Sequence, residues 1–475
     1  MTAETDREHI PDRPTVAIIG GGATGAAVAY HLAKHGAEAD IVVVEPREEL
    51  GRGLAYSSLD RVHRINVPAA RMSLLPDHPE HFIDWIAATA ALEGDDGAIA
   101  ADGNAFPQRR VFGAYLHASV KPLMDKGLVR HVRSAVTGVT KDNTRWHVTD
   151  SAGHTLAADI VVIATTHPAP SAPARLAQAL AGHPRFIADP TPADALGPVR
   201  KDDRVLVVGN GLTSADVIVS LKERGHYAHI TALSRRGLRS RGHAPCVQEP
   251  FGDFLSPPPS SARDLLSRIR AAIRGAARQG MTWHAVLDQV RAQGSAVWAQ
   301  LDEKERRRIV RHLRVYWDVH RFRIAPQVEA VLDRETAEGR LEVLAAHLLD
   351  VTVIGETIHV SVRPRGARHI SERVFDAVVV TTGPAHGRIL QSQQWLRELG
   401  QRGHLQNDRI GLGLACNGEA RAISADGTAD SSLFIAGPLG RGHFGELMGF
   451  PQVAESAVLV ANSVAAVLQK HYPQR

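Results

Sequence analysis

Short apolar runs alternate along the chain with longer stretches of helical periodicity, the pattern of buried parallel strands joined by helices. The first run, Val16 to Ile19, leads into a glycine turn and then into Ala26, Ala29, Leu32 and Ala33 at helical spacing. A second run, Ile41 to Val44, ends in Glu45. A long Gly/Pro/Ser/Arg-rich loop follows, and Phe82, Trp85 and Ile86 then predict a helix from about His81. Residues 106–127 repeat the polar-to-helical join. Short strands are predicted in VRHVRSAVTGVTK and TRWHVTD, and a buried one from Ile160 to Ala164 exits into the proline-rich ATTHPAP.

The second half restarts the same pattern: a strand over Arg204 to Val208, a turn over Gly209 to Ser214, a helix carrying Ala215 to Leu221 and a strand in HITALS. A proline-rich linker from Cys246 then opens three helical segments that end near residue 330. Strands return at LEVLAAHLLDVTVIG, TIHVSVRPRG and Phe375 to Val380, the last ending in TTGP. A final strand, a glycine-rich turn and a long helix close the chain. The expected fold class is α/β, with two Rossmann-like dinucleotide-binding domains and a helical insertion. The expected division is 1–170 for the first part of one domain, 171–380 for the other with the insertion at about 250–330, and 381–475 for the returning part of the first.

Gly20, Gly22 and Gly25 stand in G-x-G-x-x-G spacing between strand and helix, and Glu45 lies 20 positions beyond Gly25. In that context the first glycine allows a tight turn, the second lets backbone approach a pyrophosphate, and the third lets helix pack on strand. The helix N-terminus offers unpaired N–H groups to phosphate, and the acid can accept from ribose hydroxyls. Gly209, Gly211 and Ser214 repeat the turn, and Ser234, Arg235 and Arg236 stand where the first unit has its acid, again 20 positions on. Two arginines suit a 2′-phosphate through forked, charge-assisted hydrogen bonds. The first unit therefore reads as a site for FAD or NAD and the second as one for NADP(H). The plain alternatives are a packing turn without ligand and a solvated basic turn.

Composition narrows the class. The 475 residues are 44% hydrophobic and 22% charged, with net charge +4 from dispersed Lys and Arg, as in a globular enzyme. Few aromatics interleave with the basic residues, so a nucleic-acid partner is not expected. Cys246 and Cys416 are far apart with no C-x-x-C, which excludes a dithiol relay and points to a reducing compartment. The first 14 residues lack the basic start and apolar centre of a secretory signal, and no membrane span is expected, so the protein reads as cytoplasmic. The 25 histidines show no metal-ligand spacing, so no metal site is expected.

Nine segments carry a resemblance: GGGATG at 20–25, GRGLAYSS at 51–58, INVPAARMS at 65–73, FPQRRVFGAYL at 106–116, GNGLTSAD at 209–216, SRRGL at 234–238, YWDVHRFRIAP at 316–326, TTGP at 381–384 and GPLGRGHFGE at 437–446. With these the chain resembles the bacterial FAD-NAD(P)-binding group of two-dinucleotide flavoproteins, distant relatives of N-hydroxylating and Baeyer–Villiger-type flavin monooxygenases. Ala164-Thr165-Thr166 departs from the alanine–threonine–glycine usual at that strand end in the broader superfamily. The resemblance implies FAD on the first unit, with the segment at Gly437 returning to it, and NADPH on the second. It further implies reduction of FAD by NADPH and then reaction with O2 in a closed pocket.

Asn66 and Ser73 are candidate hydrogen-bond donors in that pocket, and His443 with Glu446 a candidate proton relay; loop and helix capping are their plain alternatives. Arg241, His243, His320, Arg321 and Arg323 are candidate ligands of a small substrate bearing a carboxylate or amine, with a structural Arg–Asp network as the alternative. The leading expectation is an FAD- and NADPH-dependent monooxygenase. An NADPH-flavin reductase without oxygen insertion and a non-catalytic dinucleotide sensor remain as alternatives.

Overall fold

The structure, a computed structural model, describes residues 13–168, 170–383 and 386–472. The polar opening segment before Arg13, Ala169 in the proline-rich strand exit and Pro384 of the TTGP end lie outside the described residues. Strands β1 (Thr15–Ile19), β2 (Asp40–Val44) and β3 (Val129–Val132) run parallel in one sheet. The chain then leaves as an antiparallel meander, β4 (Val136–Lys141), β5 (Trp146–Asp150) and β6 (Thr155–Ala158). It returns as β7 (Ile160–Ile163) on the free side of β1, Ile18 opposite Val162.

The second sheet is built from β8 (Phe186–Ile187), β9 (Val205–Val208), β10 (Ile230–Ser234), β11 (Leu341–Ile354), β12 (Thr357–Pro364), β13 (Ser371–Phe375) and β14 (Ala377–Val380). Finally β15 (Arg421–Ile423) and β16 (Ala429–Ile435) rejoin the first sheet. The sheet orders are β15-β16-β7-β1-β2-β3 and β13-β12-β11-β10-β9-β14-β8. The fold is α/β with two Rossmann-like units. β1 and β9 each have their next strand on one side and a later strand on the other. Each is therefore a switch point, where a crevice opens at the strand's carboxyl end.

Burial explains the continuous apolar runs. Val16 to Ile19 are covered by helices on one face and by the β4–β6 meander on the other, and Val205 to Val208 are likewise buried on both faces. The helix Ala23–Lys34 packs against the last helix, Phe450–His471, whose Val453, Ala457, Val460 and Val464 are buried in the same core. That last helix is long and apolar enough to cross a membrane by length and composition, yet here it forms the back of the first sheet's core.

The insertion has a small core of its own around Phe254, Val286 and Val297. Its third predicted segment is broken into several helices. Asp302 starts one of them by accepting the N–H of Glu305, and a π turn over Ile309–Leu313 separates Glu303–Arg308 from Arg314–Arg321. The wide turn interrupts a run from Glu303 on that composition alone reads as one helix. The helix Pro326–Ala337 returns to the second sheet, with Val328 and Leu332 in the core beside Val205 and Ile218.

Candidate functional site

A cleft of about 1060 Å³ opens at the carboxyl end of β1. Gly20, at φ +99°, makes the turn, and a Cβ there would lie 2.8 Å from the Ala164 carbonyl oxygen at the end of β7. A Cβ on Gly25 would sit on the Gly20 carbonyl oxygen, so the helix Ala23–Lys34 can start this close to the strand only with glycine. Gly22 caps that helix without a side-chain partner, leaving its first N–H groups directed at the cleft. Glu45 is buried at the end of β2. Its Oε2 accepts the Gly21 N–H at 2.9 Å, and its Oε1 accepts both the N–H and the guanidinium of Arg47, at 3.1 and 2.9 Å. The returning segment closes the cleft from the other side. Gly437 packs against the Thr24 side chain, and Pro438 is a wall residue.

The second turn has the same build. Gly209, at φ +124°, is pressed against the Thr381 carbonyl at the end of β14, and Gly211 caps the helix Leu212–Glu223. Nothing lies within 4 Å of where a Gly211 Cβ would be. The buried Asn210 Nδ2 and Ser214 Oγ have no hydrogen-bond partner among the described residues. Buried polar atoms of that kind are costly unless something satisfies them, and a phosphate does. Ser234 Oγ accepts the Gly237 N–H at 3.0 Å. Arg235 is exposed, while Arg236 lies 4.8 Å from the Tyr316 ring centroid. Neither arginine forms an ion pair among the described residues.

The remaining sequence-predicted residues fall in three places. The Asn66 carbonyl meets His243 Nε2 at 3.0 Å and its side-chain oxygen accepts the Ala325 N–H at 3.3 Å, joining the first domain's loop to the insertion. Ser73 caps its own turn, donating to the His78 carbonyl and accepting the Leu75 N–H. His443 is exposed, edge-on to Phe444. Asn66, Ser73 and His443 are not among the cleft's described wall residues. Arg241 faces solvent, and His320 holds the Tyr316 carbonyl at 2.7 Å. Arg323 clasps Asp288 at 2.8 and 3.1 Å. Arg321 is buried, 2.8 Å from Glu446 Oε1 and 3.1 Å from Gln452 Oε1, and Trp317 donates to the other Glu446 oxygen at 3.3 Å.

The electrostatics there are those of buried positive charge. Burial, then the neighbouring Arg321, lowers Arg291 to about 10. Burial, then Arg323, holds His243 at about 4. Burial raises Asp318, despite Arg314 and Arg441 beside it.

Residues 17–168 match the family model described as FAD-NAD(P)-binding. The matched segment makes up about a third of the chain. It holds the first glycine turn, Glu45 and most of the first sheet. No curated protein sequence matches the chain. Among solved structures it is similar to the reduced form of an ornithine hydroxylase from Pseudomonas aeruginosa, at 14% identity and TM-score 0.65 over 96% of this chain and 100% of that one. An L-lysine 6-monooxygenase from Pseudomonas syringae gives 17% identity and TM-score 0.65 over 96% and 100%. The ornithine N-hydroxylase of Kutzneria sp. 744, solved with reduced FAD, NADP+ and L-ornithine, gives 17% and 0.62 over 96% and 99%. The likeness is one of fold, and it spans both sheets and the insertion.

Around the matched segment the structure adds residues that the motif reading passed over. His167, on the cleft wall at the exit of β7, is held at about 4 by burial and then by Arg441 and Arg314. Arg109 reaches across the cleft wall to Asp216 of the second unit, at 2.8 and 3.0 Å. Both of these lie inside segments quoted above, FPQRRVFGAYL and GNGLTSAD, but nothing in spacing tells that they pair.

Proposed function

We propose that the chain is an FAD- and NADPH-dependent oxidoreductase, a monooxygenase of the N-hydroxylating kind acting on a small molecule that bears an amine or a carboxylate. One observation carries the reading: both nucleotide units contribute to a single cleft. Gly20, Gly22 and Glu45 stand on one wall and Thr213, Asp216 and Ser220, from the second unit's helix, on the other. Two dinucleotides anchored at the two turns would meet there.

The first glycine turn and the start of Ala23–Lys34 would hold the FAD pyrophosphate, with Glu45 accepting from the adenosine ribose. Gly209, Gly211 and the orphaned Asn210 and Ser214 would hold the NADPH pyrophosphate, with Arg235 and Arg236 on its 2′-phosphate. Bound FAD supplies the two-electron chemistry and the reaction with O2. The protein's part is to hold, orient and keep water out. The insertion serves the last task, since Arg321 and Trp317 fasten it to Glu446 in the segment returning to the first sheet.

The substrate class is supported by the half-buried Arg291 and the buried Arg321, which share the Gln452 amide oxygen, and by the ornithine and lysine named for the structurally similar enzymes. The free Cys246 and Cys416 suit a reducing cytoplasm. Reducing the protein with NADPH under anaerobic conditions and then admitting O2 with a panel of amino acids tests the reading. A hydroxylamine product formed at the expense of H2O2 is the expected result. Stoichiometric H2O2 with every candidate would make the protein a reductase, and no reduction by NADPH would leave it a binding protein.

A further inference from the structure

The helix Leu212–Glu223 does two things at once. Its first turn follows Gly211, where the second dinucleotide would be anchored, and one of its faces lies on the cleft wall against the first domain. On that face Asp216 and Ser220 stand one turn apart. Asp216 takes Arg109 Nη2 on both carboxylate oxygens, and the pair is largely buried, with 19% and 12% of the two side chains exposed. Arg109 is itself fixed, since its Nε donates to the Arg64 carbonyl at 2.9 Å and its N–H to the His63 carbonyl at 2.8 Å.

Ser220 closes a second link. Its hydroxyl donates to Asp60 Oδ2 at 2.6 Å and accepts from His63 Nε2 at 3.0 Å, while Ser58 donates to His63 Nδ1 at 2.7 Å. A neutral His63 protonated on Nε2 satisfies both of its ring nitrogens in this chain, donating to Ser220 and accepting from Ser58. These links tie the helix to two points of the first domain, the 58–64 loop and Arg109, which leads the helix Arg109–Asp125.

We propose that Arg109–Asp216 and Asp60–Ser220–His63 form a clamp that sets the second nucleotide unit on the first, so that Asp216 and Ser220 are positioning residues for electron transfer between the two dinucleotides. This rests on the two-dinucleotide reading above. Although its residues line the cleft, the clamp makes no hydrogen bond to either glycine turn, so its main effect is on the distance between the bound rings rather than on the anchoring of either pyrophosphate. Rigid placement of this kind matters because transfer needs the reacting atoms in near contact.

The test compares wild type with Asp216→Asn, Ser220→Ala and the exchange Arg109→Asp/Asp216→Arg. Four quantities are read: FAD content, the NADP+ dissociation constant, the limiting rate of flavin reduction at saturating NADPH, and amide exchange of residues 58–66 and 212–223 without nucleotide. A misplacement on the order of 1 Å lowers such rates by about tenfold to a hundredfold. The single variants should therefore lose about tenfold or more in limiting rate, with NADP+ affinity within about threefold, full FAD content and faster exchange in both segments. The exchanged pair should recover most of the rate. An unchanged rate, or a loss fully explained by missing FAD or weaker NADP+, would overturn the proposal. Should Asp216→Asn not fold, Ser220→Ala carries the same decision. If wild type is not reduced by NADPH at all, the two-dinucleotide reading fails. Amide exchange then still decides whether the clamp holds the two units together.

Discussion

At Gly25 a Cβ would strike the Gly20 carbonyl, whereas Ser214, at the equivalent place in the second turn, is buried with its hydroxyl unpaired. The first helix therefore starts closer to its strand than the second does. What the turns share is the opening glycine: Gly20 and Gly209 both take positive φ and both press against a returning strand, at Ala164 and Thr381. The comparison teaches that the third position reports how tightly a helix is drawn onto its sheet. The first position and the strand beside it make the phosphate crevice. On the proposed reading, the acid of one unit and the arginines of the other would divide the nucleotides between them.

Overpacking the tight turn should have the largest effect. Gly25→Val should destabilise the first domain by about 3 kcal/mol and abolish FAD retention, read by denaturant unfolding and by flavin content. Next, Arg235→Ala with Arg236→Ala should weaken NADPH binding by about thirtyfold while leaving NADH within about twofold, on the scale of charge-assisted hydrogen bonds. Equal losses for both coenzymes would break the assignment of the 2′-phosphate. Glu45→Gln should lower FAD affinity by about tenfold, because the amide is a weaker acceptor for Gly21 and for ribose.

A smaller effect lies in pH. His243 and His284, beside the second unit, are held at about 4 in the folded protein, well below the ordinary 6.5. The unfolded chain thus takes up protons first, and stability falls as pH drops from about 6.5 towards about 4. Thermal unfolding across that range should show the decline, and His243→Gln should flatten it. Smallest of all, Ser214→Gly should cost about 0.5 kcal/mol of stability from helix propensity and, with one hydrogen bond to the pyrophosphate lost, weaken NADPH binding by about threefold to fivefold, read by denaturant unfolding and coenzyme titration.

The two units were legible because their information is local. A strand, three small residues at fixed spacing and a helix are neighbours in the chain, and the residue type at the next strand end declares its charge. The clamp was not legible, for Arg109 and Asp216 are 107 positions apart and each looks like an ordinary surface charge on its helix. Asn66 could be placed in a functional loop but not given its contacts, since His243 and Ala325 reach it from the far side of the insertion. The dense Arg and His run at 320–323 announced a cluster, yet its partners Glu446, Gln452 and Asp288 come from other elements. Long-range pairing of this kind is set by how sheets and insertion dock, which no window of sequence contains.

The central claim is that two different dinucleotides sit at the two glycine turns within reach of each other. Mixing the FAD-loaded protein with NADPH in the absence of oxygen, while following the yellow flavin absorbance, tests it most directly. The account predicts complete bleaching, much faster with NADPH than with NADH and lost on replacing Arg235 and Arg236. An FAD-loaded protein that stays yellow under saturating NADPH would contradict it.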